Sequence, residues 1–285
     1  MINKIITLGK INRLRIDRLT NQGFYLVPDT TDDEERNDSI LLPNQYITKD
    51  MKLDDEIEVF VYTDSEDRPV ATTETPKAML GEFAYLEVVS FRSFGAFLDW
   101  GLQKDLLLPK NRQRKQADVG DKKVVMVDKD QLSERLIAIE KFNKYLEKDT
   151  SGLKRKQEVE IIVYAESPIG YQVVVDNKYD GLVFKNEIFE TINIGDKKKA
   201  TIKNIRDDGK LDISLQKIGK ARLDDSADKV LEYLKKHKSM TITSKSTPEE
   251  IYDTFGLSKK AFKASLTSLK EKALITQDDE GIKLC

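Results

Sequence analysis

Val119-Gly120-Asp121-Lys122-Lys123-Val124-Val125-Met126-Val127 joins a tight turn to an alternating strand, and its recurrence decides the fold. The same unit reads Leu53-Asp54-Asp55-Glu56-Ile57-Glu58-Val59-Phe60-Val61 upstream and Ile194-Gly195-Asp196-Lys197-Lys198-Lys199-Ala200-Thr201-Ile202 downstream. Each copy runs on through a polar turn into another strand: Arg68-Pro69-Val70-Ala71, Arg135-Leu136-Ile137-Ala138-Ile139, and Lys210-Leu211-Asp212-Ile213-Ser214-Leu215. Ahead of each unit a glycine (Gly23, Gly95, Gly170) opens a strand that leads to a short apolar one. Those short strands are Ile40-Leu41-Leu42-Pro43, Leu106-Leu107-Leu108-Pro109 and Gly181-Leu182-Val183-Phe184. Self-similarity of this kind marks one structural unit used three times. Apolar–polar alternation gives strands with one packed and one wet face. About five strands per copy suit a small closed barrel.

The pattern changes after residue 222. Val230-Leu231-Tyr233-Leu234 has helical spacing. Thr247-Pro248-Glu249-Glu250 places a capping threonine before proline at the first helical position, with glutamate three residues after the cap. Gly256 stops that helix and Ser258 caps the next, Lys259 to Lys272, which puts Phe262, Leu266 and Leu269 on one face. Ala273-Leu274-Ile275-Thr276 and Gly281-Ile282-Lys283-Leu284 read as a hairpin. Three helices closed by a hairpin make a winged helix. The expected fold class is therefore multidomain and mainly β: barrels over 1–76, 77–147 and 148–217, then an α+β winged helix over 223–285.

Composition narrows the function. The 285 residues are 39% hydrophobic and 34% charged, a foldable rather than disordered balance. No apolar run approaches the ~20 residues of a membrane helix, and the N-terminus lacks a signal-peptide core, so a cytoplasmic protein without membrane contact is expected. The lone cysteine, Cys285, and lone histidine, His237, leave no material for a thiolate metal cluster or a multi-histidine zinc site. His237 sits in a basic helix end, where a cation suits the helix dipole. There is no phosphate loop and no dense carboxylate cluster for two-metal chemistry; Asp207-Asp208 and Asp224-Asp225 read as surface pairs. No enzyme activity and no cofactor are expected. Net charge is −2, but unevenly spread: residues 1–76 hold 9 basic and 16 acidic groups, a net of −7, while 77–147, 148–217 and 218–285 come to +2, +1 and +2.

Phe94-Gly95-Ala96-Phe97-Leu98, Asp105-Leu106-Leu107-Leu108, Val119-Gly120-Asp121 and Arg135-Leu136-Ile137 together resemble the S1 RNA-binding domain, an OB-fold barrel. The third copy resembles it through Gly181-Leu182-Val183, Ile194-Gly195-Asp196 and Lys210 to Leu215, the first more weakly. The whole arrangement, with Leu-Leu-Pro at 41–43 and 107–109 and the tail at 248–275, resembles the conserved virulence factor B family of Gram-positive bacteria. That resemblance implies single-stranded RNA as partner and a role in post-transcriptional control of gene expression, virulence genes included. In S1 domains two aromatics around the glycine, a histidine on the third strand and a basic residue on the last form the RNA surface. Carried over, the second copy has Phe94, Phe97 and Arg135, with Leu108 in the histidine position. The first has Gln22 and Tyr25, then Leu42, Asp64 and Arg68; the third has Ile169 and Gln172, with Phe184 in the histidine position and Lys210 as the base. No copy has the full set, which implies weak single sites that depend on tandem display. The acidic loop Asp32-Asp33-Glu34-Glu35 would repel phosphate near the first copy, which is expected to serve mainly as a structural or docking module.

Burial statistics alone place Phe94 and Phe97 in the core; the resemblance places them on an exposed platform, which needs a bulge or strong bend to bring both to one face. Phe91 and Trp100 belong in the core or at an edge. Lys110 and Arg112, in the run 110–115, fit a phosphate clamp or a solvated loop equally. In Lys197-Lys198-Lys199 alternation lets only part of the run meet one ligand. Lys259, Lys260 and Lys263 are candidate winged-helix contacts to phosphate. That helix has no Arg, Asn or Gln to read base edges, and winged helices also bind proteins. A DNA-binding transcription regulator and a protein-interaction scaffold are therefore the alternatives.

Overall fold

A computed structural model describes residues 6–29, 39–188, 190–216, 220–278 and 281–285. The acidic loop at 32–35 lies outside the described residues. Three closed five-stranded barrels follow one another. The first holds β1 (Ile11–Thr20), β2 (Gly23–Val27), β3 (Ile40–Pro43), β4 (Glu56–Thr63) and β5 (Pro69–Thr72), closing in the order β1-β2-β3-β5-β4. The second holds β6 (Phe83–Arg92), β7 (Gly95–Asp99), β8 (Leu106–Pro109), β9 (Lys122–Lys129) and β10 (Leu136–Ile139) in the equivalent order. The third repeats it with β11 (Glu158–Glu166), β12 (Gly170–Val175), β13 (Tyr179–Phe184), β14 (Lys197–Ile205) and β15 (Leu211–Ser214).

The repeated sequence units set repeated backbone features. The turn before the fourth strand needs a left-handed residue, with φ of 69° at Asp54, 89° at Gly120 and 96° at Gly195. Aspartate tolerates that conformation and glycine prefers it, so the three spellings are one turn. Gly23, Gly95 and Gly170 open the second strand because the third strand passes against them. A Cβ there would stand 2.0, 2.5 and 2.2 Å from the carbonyl oxygens of Leu42, Leu108 and Val183. The first strand of each barrel carries a bulge, between Ile16 and Arg18, Val88 and Ser90, and Val163 and Ala165, which bends it around the barrel.

Outward faces join the barrels. Phe60 on β4 is buried with its ring edge-on to Trp100, centroids 5.8 Å apart. One hydrophobic cluster thereby runs from Leu14, Leu26 and Val61 of the first barrel to Leu86, Leu98 and Leu108 of the second. Trp100 is 2% exposed and its Nε1 donates to the Lys104 carbonyl at 2.6 Å, so it is core; Phe91 packs half-buried against the same cluster. At the next junction Val124, Met126, Ile137 and Ile139 of the second barrel meet Ile162, Tyr164 and Val174 of the third. Phe142 lies between, 4.8 Å from the Phe83 ring and 5.1 Å from Tyr164. Edge-to-face pairs of this kind add about 0.5–1.5 kcal/mol beyond burial.

The C-terminal domain has α1 (Lys220–His237), β16 (Ser239–Met240), α2 (Pro248–Phe255), α3 (Lys259–Glu271), β17 (Ile275–Asp278) and β18 (Gly281–Leu284), with sheet order β16-β18-β17. Thr247 and Glu250 form the expected capping box, Gly256 ends α2 at φ 64°, and Ser258 caps α3. Phe262, Leu266 and Leu269 are buried. The two-residue β16 is the one strand here that the sequence pattern does not announce. Among the described residues no helix is long and apolar enough to cross a membrane.

Candidate nucleic-acid interface

The barrel register fixes which residues are equivalent. Gly95 pairs with Pro109, Gly23 with Pro43 and Gly170 with Phe184. The residue opposite the glycine is therefore Pro109 in the second barrel and Pro43 in the first. This corrects the assignment of Leu108 and Leu42 to the histidine position: both are fully buried inside their barrels. A slip of one residue on a strand moves a side chain to the other face. Phe184 does hold that position, in the third barrel.

Phe94 stands in the two-residue hairpin turn before Gly95, and Phe97 lies within β7. The turn, not a bulge between them, brings the two rings together; the bulge sits on the neighbouring β6. Their centroids are 5.9 Å apart at 83°. Phe94 is 57% exposed and Phe97 half-buried, so together they form an open apolar step on the outside of the barrel. The Lys110 amide donates to the Phe94 carbonyl at 2.9 Å, which seats an exposed lysine beside that step.

The other members of the run 110–115 part company. Arg112 is half-buried and its Nη1 donates to the Tyr145 hydroxyl at 3.3 Å, in the helical turn that follows β10. Arg114 is structural: its guanidinium lies 5.0 Å from the Phe142 ring centroid and 4.9 Å from that of Tyr164. Burial, with Asp180 beside the hydroxyl, pushes the Tyr164 phenol up to about 12.

The basic residue that the S1 pattern assigns to the last strand of each barrel is engaged. Arg135 forms an ion pair with Asp67, which belongs to the first barrel. Arg68 donates from Nε and Nη2 to Asp64 at 2.9 and 2.7 Å and reaches Glu66 at 2.9 Å. Partial burial works against ionisation of Asp64, but bonds from the Arg68 side chain and from the Arg68 and Glu66 amides hold its carboxyl below the usual range. Lys210 stands 3.4 Å from Asp180.

Two of the aromatics carried over from the S1 pattern already have a cation on one face. Arg18 covers Tyr25 at 4.3 Å and Arg206 covers Phe184 at 5.8 Å. Arg206 is a residue that sequence reasoning missed. Its guanidinium is held by Asp212, with Nε 2.7 Å from the carboxylate. The turn backbone offers the one available signal: Arg206, Asp64 and Asp130 each donate an amide to the equivalent carbonyl, at Lys210, Arg68 and Arg135. Ile169, where an aromatic would stand, is 62% exposed, and Gln172 occupies the second such position.

On the winged helix Lys260 and Lys263 are exposed on the outer face of α3, whereas Lys259 is half-buried and its Nζ lies 3.5 Å from the Lys245 carbonyl. His237 ends α1 stacked on Tyr233 at 4.2 Å, with Nδ1 3.0 Å from the Tyr233 carbonyl. Among the described residues no group of three or more His, Cys, Asp and Glu side chains is arranged to hold a metal ion.

The S1 domain family model matches residues 8–74 and 80–138, and the CvfB-like winged helix domain matches 228–284. The first barrel, whose motifs are the weaker by eye, is thus matched alongside the second. The "Uncharacterized protein YitL" of Bacillus subtilis (strain 168) is 29% identical over 279 residues, covering 95% of this chain and 91% of that protein. Conserved virulence factor B of Staphylococcus saprophyticus is 24% identical over 247 residues, 82% of this chain and 81% of the relative. A solved multidomain protein with nucleic acid binding domains from Streptococcus pneumoniae TIGR4 aligns over 98% of both chains at 23% identity and a TM-score of 0.41. The chain thus carries two matched S1 domains followed by a CvfB-like winged helix domain, and along most of its length it is similar to conserved virulence factor B.

Proposed function

We propose that the protein binds single-stranded RNA through its tandem barrels, with the second barrel as the main stacking platform, and acts without catalysis in post-transcriptional control of gene expression in the cytoplasm. The observation that carries this reading is the pair Phe94 and Phe97. A phenylalanine 57% exposed beside a second ring 5.9 Å away has no role in the core. At the positions where S1 domains hold base-stacking aromatics, it offers a flat apolar surface to an unstacked base. Such stacking is worth about 1–3 kcal/mol per base and tolerates any sequence. The S1 matches support nucleic acid as the ligand, and the names of the staphylococcal relatives support a link to virulence. The winged helix is the weaker candidate, because α3 offers lysines to phosphate but no Arg, Asn or Gln to base edges.

Titration of the full chain against single-stranded RNA, and against duplex DNA of equal length, tests the reading. Tighter binding of the single strand, lost on Phe94→Ala, is expected. Preference for the duplex, unaffected by that change, would move the function to the winged helix.

A further inference from the structure

The basic residue of the second barrel's site is held by the first barrel. Arg135 precedes β10, two residues before Ile137, which pairs with Leu107, which in turn pairs with Phe97. Two strand spacings of about 4.8 Å, with a two-residue offset at about 3.3 Å per residue, put Arg135 on the same outer wall roughly 12 Å from Phe97. That distance suits a base on the rings and a phosphate on the guanidinium. In the structure its partner is the Asp67 carboxylate, at the tip of the turn between β4 and β5. The pair is half-open to solvent, with side chains 49% and 37% exposed.

The turn is anchored independently of that contact. Lys104 of the second barrel donates Nζ to the carbonyls of Thr63 and Asp64 at 3.0 and 2.6 Å and stands 4.0 Å from Asp67. Asp64 binds the amides of Glu66 and Arg68 at 2.8 and 3.0 Å, which shapes the loop. Three carboxylates (Asp64, Glu66, Asp67) and three cations (Arg68, Lys104, Arg135) therefore meet where the two barrels touch. A carboxylate presented to arginine from a fixed loop has the charge and acceptor geometry of a backbone phosphate.

We propose that the acidic turn 64–67 stands in for a nucleic-acid phosphate at the second barrel and competes with bound RNA for Arg135. The inference rests on the RNA-binding reading above. RNA that reaches Arg135 displaces Asp67 and opens the electrostatic part of the contact between the first two barrels, while Phe60 and Trp100 keep them docked. The first barrel thus lowers the affinity of the second, and any partner that draws the turn away raises it.

The test is a double-mutant cycle on the full chain with a fluorescent single-stranded RNA of about 12 nucleotides, enough to cross two OB folds. Asp67 has a φ of 63°, which asparagine also tolerates, so Asp67→Asn removes the charge without straining the turn. A half-exposed ion pair opposes ligand weakly, so Asp67→Asn is expected to tighten binding about three- to fivefold. In an Arg135→Ala background the gain should vanish. Equal tightening in both backgrounds would show only a general charge effect and overturn the proposal. So would unchanged affinity in Asp67→Asn while Arg135→Ala and Phe94→Ala still weaken binding, and that result leaves the RNA-binding reading standing. If Arg135→Ala and Phe94→Ala both bind like the parent protein, the underlying reading falls as well.

Discussion

The second and third barrels have the same strand order, the same bulge and the same left-handed turn, yet their outer walls differ in what a base would meet. On the second, Phe94 and Phe97 face solvent with only each other as ring partners. On the third, Ile169 and Gln172 take those places, and Phe184 carries Arg206 on its face. The other outer surface differs too. The last two strands of the second barrel present Met126, Ile137 and Ile139 to the next barrel, while the third has Thr201, Asp212 and Ser214 at the matching positions. The scaffold is shared; what differs is a handful of outward side chains. Fold alone does not locate function.

The sharpest way to break this comparison is to remove the platform. Phe94→Ala with Phe97→Ala should cost about 2–6 kcal/mol of RNA binding if both rings stack a base. Melting must be followed alongside. Truncating a core phenylalanine costs about 3–5 kcal/mol of stability, and an exposed Phe94 predicts far less for Phe94→Ala. A large fall in melting temperature from that single change would make it a core residue.

The converse experiment builds the missing platform. Ile169→Phe with Gln172→Phe in the third barrel should tighten RNA binding about tenfold, the equivalent of one added stack. No gain would mean that Arg206 or the barrel's position, rather than the absent rings, limits the third site. Phe184→Ala and Lys210→Glu should each weaken binding less than threefold, about 0.6 kcal/mol, because both side chains already have intramolecular partners.

Salt sharpens the division between stacking and charge. Binding should weaken as salt rises, because phosphate contacts release counterions. Arg135→Ala should flatten that slope, whereas Phe94→Ala should lower affinity at every salt concentration and leave the slope intact.

The smallest effect concerns acid. The depressed Asp64 carboxyl contributes stability that is fully present above its unfolded value, about 3.9, and lost as pH falls through the lower folded value. Asp64→Asn should therefore narrow the loss of stability below about pH 4, by less than about 1 kcal/mol. An identical acid limb in parent and variant would show that the turn contributes nothing.

The barrels were legible because their turns and glycines are backbone requirements that recur in register. The winged helix was legible because its caps are local. The third strand was not read correctly in detail: Leu-Leu-Leu-Pro is apolar at every position, so alternation could not say whether Leu108 or Pro109 faces out. Only pairing with Gly95 decides it. Arg206 over Phe184 and Asp67 on Arg135 join residues that are distant along the chain, and no local pattern announces such contacts. The exposure of Phe94 came from resemblance, because burial statistics point the other way.

Ultraviolet crosslinking of the full chain to single-stranded RNA, with the modified residues identified by mass spectrometry, tests the central claim most directly. Crosslinks centred on Phe94 and Phe97, with few or none at Phe184, are predicted. Crosslinks concentrated on α3 of the winged helix, or on the third barrel with the second untouched, would contradict it.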